Sequence, residues 1–270
     1  MSGAAERRRV VGAGPEGRPP SRLPLLVGIG VTVAAIYLSA VDTRVDLGRL
    51  WQGLPRALDL FAKMWPPDWA YVQTVLPALG DTIRMAVLGT LVGAVLAVPF
   101  IVLGARNLTR NQGVVWFTRV VLNLIRTVPD MLWAAIFVAA LGIGPLPGIA
   151  ALAAFSFGII AKLTSETVEV IDPGPLEAMQ AVGANSLQLI GFGVVPQILP
   201  QFIAYTLYVF EINIRAAAVL GLVGAGGIGW LIKAAMSLFR YDQVAVTISI
   251  TFLVVLVLDY TSTFLRERLL

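Results

Sequence analysis

Cysteine and histidine are both absent from this 270-residue sequence, and only 13% of its residues are charged. Without cysteine there is no disulfide framework and no thiolate nucleophile. Without either residue there is no Cys/His zinc site and no imidazole acid–base chemistry. Most familiar catalytic constellations are thereby excluded. There is also no G-x-x-x-x-G-K-S/T phosphate loop. No basic run is interleaved with aromatics, and a net charge of +4 spread along the chain is no nucleic-acid footprint. What the chain has in excess is apolar: 57% of residues are hydrophobic and the mean hydropathy is +0.82, far above the range of a soluble domain. The composition points to an all-α, polytopic membrane protein.

A helix needs about 20 apolar residues to cross the hydrocarbon core. Six stretches meet that requirement: Leu23 to Val41, Met85 to Ala105, Gly113 to Leu141, Ile149 to Thr167, Gln201 to Leu220 and Gln243 to Phe264. The third carries Arg119, Arg126 and Asp130 and is expected to bend or break near Pro129, with GIGPLPG from Gly142 to Gly148 as the turn that follows. Six crossings put both termini on one side. An N-terminus inside places nine Lys and Arg in inner segments against six in outer ones, with the Arg7, Arg8 and Arg9 cluster deciding the orientation. Residues 1–22, rich in Gly, Pro and Arg, read as a disordered cytoplasmic tail, and the first span as an uncleaved anchor. In segment 42–75, Leu47, Leu50, Trp51, Leu54, Leu58, Phe61 and Trp65 recur at helical spacing, which fits an amphipathic helix at the outer membrane interface.

The segment 165–200 then falls in the cytoplasm between the fourth and fifth spans. Asp172-Pro-Gly-Pro175 is a helix-entry signal, with Glu177 near the positive end of the helix dipole. At 100° per residue, Leu176, Met179, Val182, Leu187, Leu189 and Ile190 gather on one arc, opposite Glu177, Gln180, Ala181, Ala184, Asn185 and Gln188. A single amphipathic helix is expected over Leu176 to Ile190. The loop from Thr164 to Pro200 contains four acids and no Lys or Arg. A helix resting on an anionic leaflet would carry basic residues, so a protein partner explains the composition better.

Glu177-Ala178, Gly183-Ala184 six residues after the glutamate, Pro196-Gln197 and Leu199-Pro200 resemble the EAA loop of permease subunits of type I ABC importers. That pattern is EAA, three residues, G, and a proline thirteen residues later. The departures are Met179 for the second alanine, Gly193 for the usual aliphatic residue and Val195 for leucine. LIRTVPDMLWAAIFV from Leu124 and FEINIRAAAVLGLVGAGGIG from Phe210 are similar to the phosphonate permease branch, and Leu220 to Asp242 also to the methionine branch. The similarity runs from about Leu76 to Phe264, with the first span and segment 42–75 as additions to a five-span core in 76–270. The resemblance implies a coupling helix, with Glu177, Ala178, Met179, Gly183, Ala184 and Gln188 meeting an ATP-binding subunit. It further implies a homodimer, two ATPase subunits carrying ATP and Mg, no cofactor in this chain, and an external substrate-binding protein, in an inner membrane. Another small solute such as methionine is the alternative cargo.

Three pairs of opposite charge lie four residues apart inside spans: Arg126 with Asp130, Lys162 with Glu166, and Glu211 with Arg215. On continuous helices the members of each pair face the same way and can neutralise each other. Alternatively Arg126 and Arg215, with Thr127, Asp130, Glu211 and Asn213 beside them, line an anion pathway, since guanidinium suits phosphoryl oxygens. The GAGGIG run lacks the strand and later acid of a dinucleotide fold. Its Gly224, Gly226, Gly227 and Gly229 are candidates for an outer gate, or for ordinary small-residue packing. An autonomous carrier would show an inverted repeat, and no second copy of any motif is visible.

Overall fold

The computed structural model describes residues 23–43 and 47–269, all in helices, turns and short connections with no strand among them. The expected tail, residues 1–22, lies outside the described residues. The chain divides into two compact units, one ending at Asp59 and the other beginning at Leu60.

In the first unit α1 (Leu23–Asp42) is a 20-residue apolar helix, about 30 Å long. Its large apolar side chains are exposed along its whole length. Thr32 satisfies its hydroxyl internally by donating to the Gly28 carbonyl at 2.9 Å. A helix with this surface is built for hydrocarbon. The helix α2 (Leu47–Lys63) follows, with Trp51, Leu54, Leu58 and Phe61 exposed.

The second unit is organised around α3 (Val72–Gly104), α6 (Pro145–Glu169) and α9 (Val195–Leu220). Small residues set the approach of the first two. A Cβ placed on Gly89 would fall 2.5 Å from Leu152 Cβ, and one on Gly93 2.5 Å from Ser156 Cβ. The G-x-x-x-G spacing thus brings the α3 and α6 backbones into close contact, as small-residue stripes do in membranes. Around this pair the core holds Ala97, Ile101, Phe157 and Ile160 toward one end and Met85, Ala86, Leu152 and Leu220 toward the other. The helix α11 (Tyr241–Leu269) packs on α9, and α10 (Gly227–Ser237) returns against α3.

Among the described residues five helical segments are long and apolar enough to cross a membrane, the first being Leu25–Asp42, and a sixth crossing arises if a bent pair counts as one. That pair is α4 (Gln112–Thr127) and α5 (Asp130–Leu141), which meet at 87°. The expected break near Pro129 is therefore present, and it makes two helices. Asn111 opens α4 by accepting from the Gly113 amide at 2.9 Å, while Pro129 has no amide hydrogen to continue the α4 ladder.

Candidate functional site

The loop between α6 and α9 is anchored at its root before it does anything else. Glu169, the last residue of α6, accepts from the Arg106 amide at 2.7 Å and pairs with Arg119 of α4. Arg119 also donates to the Gly104 carbonyl at 3.0 Å, so one side chain joins the ends of α3 and α6 to the middle of α4. Gln197 closes the other side. Its Oε1 accepts from the Asp172 amide at 3.1 Å, and its Nε2 donates to the Gly193 carbonyl at 2.8 Å. The glutamine that follows the conserved-pattern proline thus clamps the beginning of the loop to its end.

Between these anchors the single helix expected over 176–190 does not form. Instead α7 (Gly174–Ala181) stops, the chain turns, and α8 (Ser186–Gln188) leads into a π-helical turn over Leu189–Val194. The physical reason lies in two capping signals. Gly183 has φ +84; its amide donates to the Gln180 carbonyl at 3.0 Å, and the Ala184 amide donates to that of Met179 at 3.0 Å. These are the two bonds of a Schellman motif, which ends a helix. A Cβ on Gly183 would meet nothing within 4 Å. Glycine is needed there for its backbone and not for room. Two residues later Asn185 and Gln188 form a reciprocal capping box, each side chain bonding the other's amide at 2.9 Å.

The break redistributes the apolar arc. Leu176 is buried and Met179 half-buried, both packed against Gly193, whereas Val182 and Leu187 project into solvent at 84% and 81% exposure. Glu177 and Ala178 are exposed, and the Glu177 carboxylate has no hydrogen bond or ion pair among the described residues. The loop therefore presents an unpaired acid, small residues and two bare aliphatic side chains on a stiffly anchored base. Of the predicted contact residues, Gln188 is committed to the capping box and Ala184 is half-buried.

The intramembrane charges sort differently from their expected pairing. Arg126 and Asp130 form no ion pair, because the 87° bend separates the ends of α4 and α5 that carry them. Asp130 bonds the Met131 amide at 2.9 Å, Thr127 returns its hydroxyl to the Leu124 carbonyl, and the Arg126 guanidinium is without a partner among the described residues. Gly158 of α6 makes room for it, since a Cβ there would fall 3.0 Å from Arg126 Cγ. Lys162 and Glu166 do pair, at 2.8 Å.

Glu211 and Arg215 also pair, at 3.1 Å, as two members of a group of four. Arg215 reaches Asp259 of α11 at 2.8 Å, and Glu211 reaches Arg266 at 2.8 Å. Two positive and two negative charges alternate across the α9–α11 contact. Asp259 has no place among the sequence-based expectations and Arg266 enters them only as an inner-segment charge, although an acid inside an apolar span is itself a signal that a cation lies near.

Asn213 is not beside Arg215. Two residues apart on one helix means about 200° of rotation, and Asn213 is fully buried. Its Nδ2 donates to Thr90 Oγ1 at 2.8 Å and to Ser156 Oγ at 2.7 Å, tying α9 to α3 and α6 near their middles. Its partners Thr90 and Ser156 were legible only as ordinary span residues.

At the other end of the bundle the glycines close on their own chain. Gly224, Gly226 and Gly227 have φ of +105, +82 and +68, which folds α10 back until Gly229 meets Gly221 and Ala218 of the preceding segment. The Ile228 amide donates to Thr82 Oγ1 at 2.9 Å, and the Gly144 amide to the Gly224 carbonyl at 3.0 Å.

Residues 89–270 match the family described as binding-protein-dependent transport system inner membrane component. The chain belongs to that family. A permease of this family is the membrane subunit of an importer, and the anchored loop lies in the matched region. The chain is 34% identical over 240 residues to the putative phosphite transport system permease protein HtxC of Stutzerimonas stutzeri, covering 89% of this chain and 85% of that one. It is 34% identical over 251 residues to the phosphite transport system permease protein PtxC of the same organism, covering 93% and 90%. Its fold is similar to that of a chain in the inward-facing MetNI methionine ABC transporter, with a TM-score of 0.66 at 18% identity, over 75% of this chain and 99% of that one. The fold is thus that of a type I ABC importer permease.

Proposed function

We propose that this permease carries a phosphonate, phosphite or related phosphorus oxyanion inward across the cytoplasmic membrane by alternating access. The observation that carries the reading is the α6–α9 loop: a short helix ended by Gly183, held at its root by Glu169 and Gln197, with Glu177, Val182 and Leu187 free to meet a partner. A separate ATPase subunit, holding ATP and Mg, grips this loop in a dimeric assembly with a second copy of the chain. Both termini and the loop face the cytoplasm. Closure of the ATPase pair moves the loop, and the stiff anchors pass that motion to α3, α4, α6 and α9.

Cargo arrives from an external binding protein at the opposite end, where the Gly224–Gly229 turn forms the outer gate. The oxyanion passes Arg126, whose charge is uncompensated, and Arg215, which is half exposed although paired on two sides. Guanidinium groups offer planar donors to phosphoryl oxygens. The similarity to two phosphite permeases supports this class of cargo. Uptake of labelled phosphonate and phosphite by cells carrying the complete importer tests it: Arg126→Gln lowers uptake at normal expression, and unchanged uptake by a well-expressed variant removes Arg126 from the route.

A further inference from the structure

At the loop end of the bundle two depressions adjoin at one residue. The first is an apolar groove of about 230 Å³ between α3 and α9, lined by Val98, Ile101, Val102, Ile198 and Phe202. The second is a polar cleft of about 640 Å³ between the α3–α4 connection and the α7–α8 turn, lined by Asn107, Arg110, Gln180 and Ser186. Ile190 lines both. No carboxylate lines the cleft, so its single charge is the Arg110 guanidinium. Arg110 is exposed and has no hydrogen bond or ion pair among the described residues. Elsewhere at this end the Arg119 guanidinium is paired with Glu169, whereas the cleft supplies Arg110 with no acid.

We propose that this composite site binds an anionic phospholipid, with an acyl chain in the Val98–Phe202 groove and the phosphate at Arg110. A slot of this polarity on a membrane-spanning bundle opens to acyl chains, and the cleft that carries the cation meets it at Ile190. Charge complementarity selects the headgroup, because a guanidinium without a carboxylate partner gains most from a phosphate oxygen. The bound lipid touches both α3 and the start of α9 and reaches Gln180 and Ser186, so its presence stiffens the α6–α9 loop against the bundle. The proposal rests on the membrane location of the chain and not on which solute it carries.

The test uses the full-length chain purified in detergent and stripped of lipid, titrated with dioleoyl phosphatidylglycerol or dioleoyl phosphatidylcholine and read by native mass spectrometry. One basic residue near a lipid surface is worth about 1 kcal/mol, so the wild type should hold phosphatidylglycerol about fivefold more tightly. Arg110→Gln should bind the two lipids equally, and Val195→Trp, which puts an indole into the groove that Val195 also lines, should weaken both. Four results overturn the proposal: equal affinities in the wild type, a preference that survives Arg110→Gln, lipid binding unaffected by Val195→Trp, or displacement of the lipid by soluble glycerol phosphate. Protection of Arg110 from phenylglyoxal by the ATPase subunit alone, with no protection by phosphatidylglycerol, would also overturn it and make the cleft a protein contact.

Discussion

Met179 and Gly193 fit each other across the base of the α6–α9 loop: a Cβ built on Gly193 would stand 3.3 Å from the Met179 sulfur. Both positions depart from the usual EAA pattern, a large side chain replacing a small one at 179 and glycine replacing an aliphatic residue at 193. The departures compensate. Met179 fills the space that a side chain at 193 would occupy, so the loop keeps its anchor with the volumes exchanged between partners. The added sulfur therefore leaves the exposed face that holds Glu177 and Ala178 unobstructed.

Gly193→Val alone should overpack this contact and lower stability by about 1 kcal/mol, within the range for inserted methylenes. Met179→Ala with Gly193→Val should recover most of the loss, giving a coupling of at least about 0.5 kcal/mol in a double-mutant cycle. Thermal unfolding of the purified chain in detergent measures it, and additive effects would mean the two residues do not share a contact.

Gly183 separates backbone from volume. Its φ of +84 penalises a side chain although a Cβ there meets nothing. Gly183→Ala should cost about 1–2 kcal/mol, the price of the left-handed conformation for an ordinary residue, and Gly183→Asn should cost less because asparagine visits that region. Unfolding midpoints and ATPase affinity should both rank Gly, then Asn, then Ala.

The four-charge group across α9 and α11 predicts an asymmetry with Arg126. Glu211 bridges two arginines and its side chain is only 15% exposed. Glu211→Gln should destabilise the chain by about 1.5–3 kcal/mol, the range for a hydrogen bond to a charged group, because it removes the charged acceptor that two arginines share. Arg126→Gln breaks no ion pair and should leave the melting temperature unchanged while lowering uptake. Equal stability losses would contradict the placement of these residues.

Asn213 gives a third contrast inside the bundle. Asn213→Leu removes two donors to Thr90 and Ser156 and should cost about 1–3 kcal/mol. Asn213→Asp should cost more, since a buried carboxylate loses both donations and adds a charge. Circular dichroism melts of the two variants check the order.

Much of the architecture was legible because long apolar runs have few alternatives in a membrane. The spans, the break at Pro129 and the loop motif follow from hydropathy, proline chemistry and spacing. The loop's internal shape did not follow, because an amphipathic arc traced through Gly183 assumes a continuous helix, and the Schellman and Asn185–Gln188 caps end it locally. The pairing of charges was half legible. Spacing of four found Lys162–Glu166 and Glu211–Arg215, whose helices are continuous, and failed for Arg126–Asp130, whose helix turns. Asp259 and Arg266 lie some fifty residues from their partners, and only packing brings them together. Proximity in sequence sets Asn213 beside Arg215, whereas two positions along a helix separate them by about 200° of rotation.

The central assignment is that the exposed face of the α6–α9 loop receives the ATPase. The direct measurement is the affinity of the purified ATPase subunit for the permease bearing Glu177→Lys, with unfolding temperature recorded in parallel. Glu177 is exposed and unpaired, so the substitution should leave the melting temperature unchanged and weaken ATPase binding at least tenfold, with uptake falling in step. Wild-type affinity and wild-type uptake in a normally folded Glu177→Lys protein would contradict the coupling role.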